Sequence, residues 1–84
     1  MSTFETIAAN MRKAARDGEI VTIGGGEFGP DELRAAALAL AAHDGLVAAL
    51  QGVLPYVPGH IDEDTQGRPW LVRAHDALLK AGGQ

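Results

Sequence analysis

The sequence predicts a mainly α-helical α+β domain in which a helix and a small β-hairpin precede two or three further helices in a compact bundle. Three observations predict it. Apolar residues recur at helical spacing near both ends of the chain; a β-branched run, Glu19-Ile20-Val21-Thr22-Ile23, leads into Gly24-Gly25; and Pro30 and Gly45 punctuate an Ala/Leu-rich middle. The 84 residues suffice for one domain, taken as 1–84, and 46% apolar with 21% charged content excludes a disordered acidic tail. A chain of this length buries only about 60% of its unfolded surface, and much of its apolar content is Ala, so modest stability is expected.

Residues 2–17 read as an amphipathic helix, with Ser2 as cap, Glu5 at the capping-box position and Phe4, Ile7, Ala8, Met11 and Ala15 on one face. Arg12, Lys13 and Arg16 fall on its wet side, and Gly18 supplies a left-handed stop. Gly24-Gly25 permit a tight two-residue turn into Gly26-Glu27-Phe28, and such a hairpin needs helices or another chain beneath it. Gly29-Pro30-Asp31-Glu32 then starts a helix to about His43, with Pro at the first helical position and acids where the helix dipole favours them. Past its first turn this helix is apolar all round, which places it at the centre of the fold or in an interface. Asp44-Gly45 is expected to end it, with Asp44 capping a next helix that carries Leu46, Val47, Leu50, Val53 and Leu54 to Pro55. The rival is one continuous helix, since Leu33, Leu40, Val47 and Leu54 are spaced by sevens.

Residues 55–69 read as a Pro-, Gly- and acid-rich loop, and 70–81 as the last helix, with Trp70, Ala74, Ala77, Leu78 and Ala81 inward and Asp76 and Lys80 paired outside. The segments 42–47 and 74–79 resemble each other, but two units are too few for a helical array, and the likeness reads as compositional.

Seven Lys+Arg against eleven Asp+Glu give a net charge of −4, which disfavours direct nucleic-acid binding. The charge is uneven: residues 19–64 hold eight acids and only Arg34, while both flanks are slightly basic. The apolar stretch from Leu33 to Val57 is interrupted by His43-Asp44-Gly45, Gln51 and Pro55, so no membrane span is expected. Without cysteine or a signal-like N-terminus, the expected setting is cytoplasmic.

Four patterns bear on chemistry. Gly24 to Gly29 fits G-x-G-x-x-G, but Glu27, Asp31 and Glu32 would repel phosphate, and a hairpin turn explains the same residues. Asp62-Glu63-Asp64-Thr65-Gln66-Gly67 resembles the start of a calcium loop, yet its twelfth position is Arg73 where a bidentate Glu is required. His60 with Asp62 and Asp64 has the donor atoms for a transition metal, although a solvated acidic loop is the favoured reading. Ser2 is the only serine and there is no cysteine, so Ser-His-Asp and Cys-His catalysis lack a nucleophile; His43 and Asp76 could still meet across helices. Tyr56 and Trp70 border the acidic loop as core aromatics or interface anchors.

Residues 42–50, then Val53-Leu54-Pro55-Tyr56, the acidic loop and residues 73–81 together make a chain that resembles the small, Ala-rich accessory proteins of phages and prophages. The resemblance covers about half the chain and implies a protein acting in the cytoplasm of an infected bacterium, where blocking of host defence complexes, as by anti-CRISPR proteins, is one such role. The resulting expectation is a non-enzymatic, cofactor-free interaction protein that binds a larger host protein, with Tyr56, Asp62, Glu63, Asp64, Asp31 and Glu32 as candidate partner-binding residues. Self-association into a homodimer is also expected, from the apolar helices. The alternative is a small-ligand or metal module built on the Gly24–Gly29 turn or the His60–Asp64 loop.

Overall fold

Helix α1 (Thr3–Arg16) ends where the sequence places its stop. In a computed structural model describing residues 3–42, 45–57 and 59–82, Gly18 has φ +73°. Its N–H donates to Ala15 O at 3.1 Å, and the Glu19 N–H donates to Ala14 O at 3.0 Å. This pair of bonds is a Schellman closure, which satisfies carbonyls that the helix end leaves open. The expected Ser2 and Asp44 caps and the His43–Asp76 contact lie outside the described residues.

Strands β1 (Val21–Ile23) and β2 (Gly26–Phe28) pair antiparallel, Val21 opposite Phe28 and Ile23 opposite Gly26. Between them Gly24 and Gly25 take φ +58° and +84°, the left-handed pair that a tight two-residue hairpin turn demands. Val21, Ile23 and Phe28 are buried, so one face of the ribbon roofs the helices. That burial supplies the support a lone two-stranded ribbon lacks in water.

Helix α2 (Pro30–Ala42) begins as expected, with Pro30 at its first position and the Leu33 N–H donating to Gly29 O at 2.8 Å. It packs along α1 more extensively than any other described pair of elements meets. Helix α3 (Leu46–Gln51) is separate, with Gly45 in an extended conformation (φ −119°, ψ 110°) as its N-cap, so the break prevails over the continuous helix. The heptad spacing of leucines loses because Gly45 has no side chain to bury and a low cost for leaving the helix. Helix α3 is also shorter than the sequence suggests: Val53 and Leu54 lie past its end, where Pro55 disfavours helix in the residue before it.

The segment read as a continuous loop, 55–69, instead contains a helical turn, α4 (Glu63–Gly67), and helix α5 (Pro69–Gly82) begins one residue earlier than expected. Its inward face is Leu71, Ala74 and Leu78, with Trp70 only partly buried. The core joins Ile7 and Met11 of α1, Leu33 and Leu40 of α2, Leu46 and Leu50 of α3, and Leu71 and Leu78 of α5 beneath Phe28. One face of α2 and α3, with Leu33, Leu40, Leu46 and Leu50, is therefore covered within one chain, while Leu38 on α2 stays 73% exposed, apolar surface of the kind that motivated the dimer expectation. Among the described residues no helix is long and apolar enough to cross a membrane.

The turn glycines differ in what a side chain would meet. A Cβ at Gly24 would fall inside the Tyr56 ring, whereas one at Gly59, also left-handed at φ +80°, meets nothing within 4 Å. Gly24→Ala should therefore destabilise by about 2–4 kcal/mol and Gly59→Ala by about 1 kcal/mol, read from urea midpoints. Equal losses would remove the Tyr56 contact from the argument.

Candidate functional site

The acidic stretch is folded onto the hairpin. An antiparallel ribbon points alternate N–H groups away from its partner strand, and a two-residue turn makes Thr22 one of these outward residues of β1. Its N–H donates to Asp64 Oδ2 at 3.0 Å. At the tip, the Gly25 N–H donates to Asp62 Oδ2 at 3.2 Å, and the Val57 N–H donates to Gly24 O at 2.7 Å. Residues 55–57 and 59–64 thus follow the tip and outer edge of the hairpin, meeting backbone groups that the ribbon itself leaves open.

A second layer of polar contacts fixes the carboxylates. Asp62 Oδ1 lies 2.9 Å from His60 Nε2, and the Asp62 side chain is only 13% exposed. Asp62 is also the N-cap residue of α4 yet makes no side-chain cap bond, because its carboxylate faces the hairpin turn instead. Arg68 Nη2 lies 3.1 Å from Glu19 Oε1, and Arg68 Nε lies 3.7 Å from Asp64 Oδ1. The Glu19 bond raises the Arg68 pKa further above its ordinary range, so the guanidinium stays charged and ties the lead-in to β1 to the junction of α4 and α5.

This geometry corrects the reading of 62–64 as a solvated acidic loop. Asp62 and Asp64 are intramolecular acceptors, and of the three acids only Glu63 is exposed. The other candidates are dispersed. Asp31 is 96% exposed and meets Arg34 at 3.1 Å, an i,i+3 pair open to solvent. Glu32 is half-buried beside Gly29. Tyr56 is half-buried against Gly24, and that burial raises its phenol above the usual range. The structure thus brings Tyr56, Asp62 and Asp64 around the hairpin and leaves Asp31 and Glu32 at the start of α2.

The alternative chemistries meet the same groups. In the Gly24–Gly29 pattern the Gly25 amide, which a phosphate would approach, is taken by a carboxylate. In the calcium-like hexad, Glu63 to Gly67 are helical. Among the described residues no cluster of three or more His, Asp or Glu side chains is arranged to hold a metal ion. Nε2 of His75, on α5, is buried without a hydrogen-bond partner among the described residues. Sequence reasoning missed Arg68 and Glu19; the i,i+4 spacing of Asp64 and Arg68 was a legible signal for half of that link.

Two outcomes follow. Asp64→Ala should cost about 1–2 kcal/mol, since it leaves the Thr22 N–H and Arg68 with a lost acceptor, while Glu63→Lys should change stability by less than about 0.5 kcal/mol. Urea unfolding of both variants checks this, and equal values would mean that the Asp64 bond is immaterial. Tyr56 is the only tyrosine, so phenolate absorbance reports it alone. Its folded pKa lies above the unfolded value, so the unfolded state loses its proton first and stability should fall as pH rises past about 10. Tyr56→Phe should flatten that fall.

No family model, curated protein or solved structure matches the chain, so the roles of these residues rest on their geometry.

Proposed function

We propose that this chain is a non-enzymatic interaction protein whose hairpin tip and the strap over it, residues 55–57 and 59–64, form a face that docks on a larger protein and obstructs it. One observation carries the reading. Val57 is 57% exposed and Ile61 54% exposed, on a segment whose neighbouring backbone and carboxylates are bonded to the hairpin. Large apolar side chains held outward on a preorganised backbone lose little freedom on docking, which is the property of an interface anchor. Glu63 and Glu27 are exposed on the strap helix and on β2, and they supply acids near this face. Carboxylates so placed can occupy a basic surface built for phosphate, one way to block a host complex, which is the role that the resemblance to phage accessory and anti-CRISPR proteins implies.

Within this reading Tyr56, Asp62 and Asp64 act by positioning the face, and Glu63 belongs to it directly. Asp31 and Glu32 lie at the start of α2 rather than on the strap. The test is affinity capture from bacterial lysate with the full chain and with a Val57→Ser, Ile61→Ser, Glu63→Lys variant, each sample also melted. The expected result is a stoichiometric bacterial protein held by the first and lost to the second at unchanged melting temperature. Capture that survives the triple change would remove this face from the site.

A further inference from the structure

A basic face stands apart from the acidic stretch. Arg12 and Arg16 of α1 and Arg34 of α2 line one open groove of about 530 Å³ together with Ala9 and Leu38. Leu38 is 73% exposed, the most exposed of the large apolar side chains described. Arg34 meets only the solvent-exposed Asp31, and no carboxylate among the described residues lies within 4.0 Å of Arg12 or Arg16. The groove is thus an apolar spot set among guanidiniums in a chain whose net charge is −4.

We propose that this groove docks an acidic amphipathic helix of a partner protein, with carboxylates one turn apart on either side of an apolar side chain. The chemistry selects that occupant. Arg12 and Arg16 are separated by one helical turn, about 6 Å along α1, the spacing at which Glu or Asp at i and i+4 on a second helix presents its carboxylates. Planar guanidiniums bind carboxylates through paired N–H groups, which adds direction to the attraction. Leu38 and Ala9 offer nothing to a phosphate backbone but fit a Leu or Met from the partner, and the net negative charge opposes a long polyanion. A second copy meeting this face across a two-fold axis would set arginines against arginines, which costs affinity.

The proposal adds a second surface to the interaction reading above, and the two fail separately because they share no residue. The experiment is fluorescence anisotropy of a labelled helical peptide bearing Glu at one-turn spacing around a central Leu, titrated with the full chain at low and high salt. Saturable binding is expected, weakened about tenfold or more by Arg12→Glu with Arg16→Glu, and several-fold by Leu38→Ser. Salt should weaken it, and a Glu→Gln peptide should bind as poorly as the charge-reversed protein. These side chains are exposed, so the fold should tolerate the changes; a melting curve checks each sample, and Arg12→Gln with Arg16→Gln serves if the reversal unfolds. The Val57, Ile61 and Glu63 variant should bind the peptide normally. Absence of saturable binding, or binding indifferent to the arginines, overturns the proposal. So does binding of a single-stranded oligonucleotide, but not the peptide, that the reversal abolishes. A light-scattering mass of twice the monomer that Leu38→Ser halves would assign the groove to a second copy instead.

Discussion

A two-stranded ribbon of six residues cannot hold itself together in water, and this fold depends on how that weakness is met. The ribbon buries Val21, Ile23 and Phe28 on the helices, which secures one face. Its turn and outer edge would still present open N–H and C=O groups, each costly if excluded from water without a partner. Asp64, Asp62 and the Val57 amide meet three of these groups from a segment 33 to 42 residues further on. The ribbon is the covalent link between α1 and α2, so the strap that holds it also holds the connection across the most extensive helix contact among the described residues.

Local signals made most of the elements legible. Gly18, the left-handed pair Gly24-Gly25 and Pro30 each act within a few residues of themselves, through backbone freedom or the lack of an N–H, and the structure puts boundaries where they sit. The segment from 55 to 69 was not legible in the same way. Asp62 and Asp64 bond backbone 37 and 42 residues away, and no periodicity or spacing within the segment encodes such a partner. An acid-rich run between Pro and Gly residues reads as solvated whenever its partners are backbone amides, because amides carry no residue identity. The inward face of α5 was shifted for a related reason: Trp70 and Leu71 are both apolar neighbours, and tertiary packing, which buries Leu71 fully, decides which points to the core.

The candidate site was legible in residue type and not in role. Tyr56, Asp62 and Asp64 do gather at one place, but their carboxylates and ring face the hairpin rather than outward. Near them the side chains of Val57, Ile61 and Glu63 are exposed. The Val57 N–H and the Asp62 and Asp64 carboxylates beside them are bonded to the hairpin, and backbone held in that way lowers the ordering cost of a contact made there.

Counting charges along the chain also misplaces the outward field. Of the eight acids between 19 and 64, Asp62 and Asp64 meet backbone amides, Glu19 and Asp64 flank Arg68, and Asp31 meets Arg34. Bonds to neutral amides leave Asp62 and Asp64 charged but turn them inward, and Arg68 offsets one carboxylate, so less negative charge faces outward near the strap than the count suggests. The bases of the first flank are carried by α1, and among the described residues no carboxylate lies within 4.0 Å of Arg12 or Arg16. A small protein of net charge −4 thereby presents a groove of the opposite sign. Unlike charges on different faces orient an approaching partner before contact, since the field acts over about 8–10 Å at physiological salt while packing acts only at touch. Orientation then depends on which carboxylates the fold has turned inward, and so on the strap that keeps the hairpin in place.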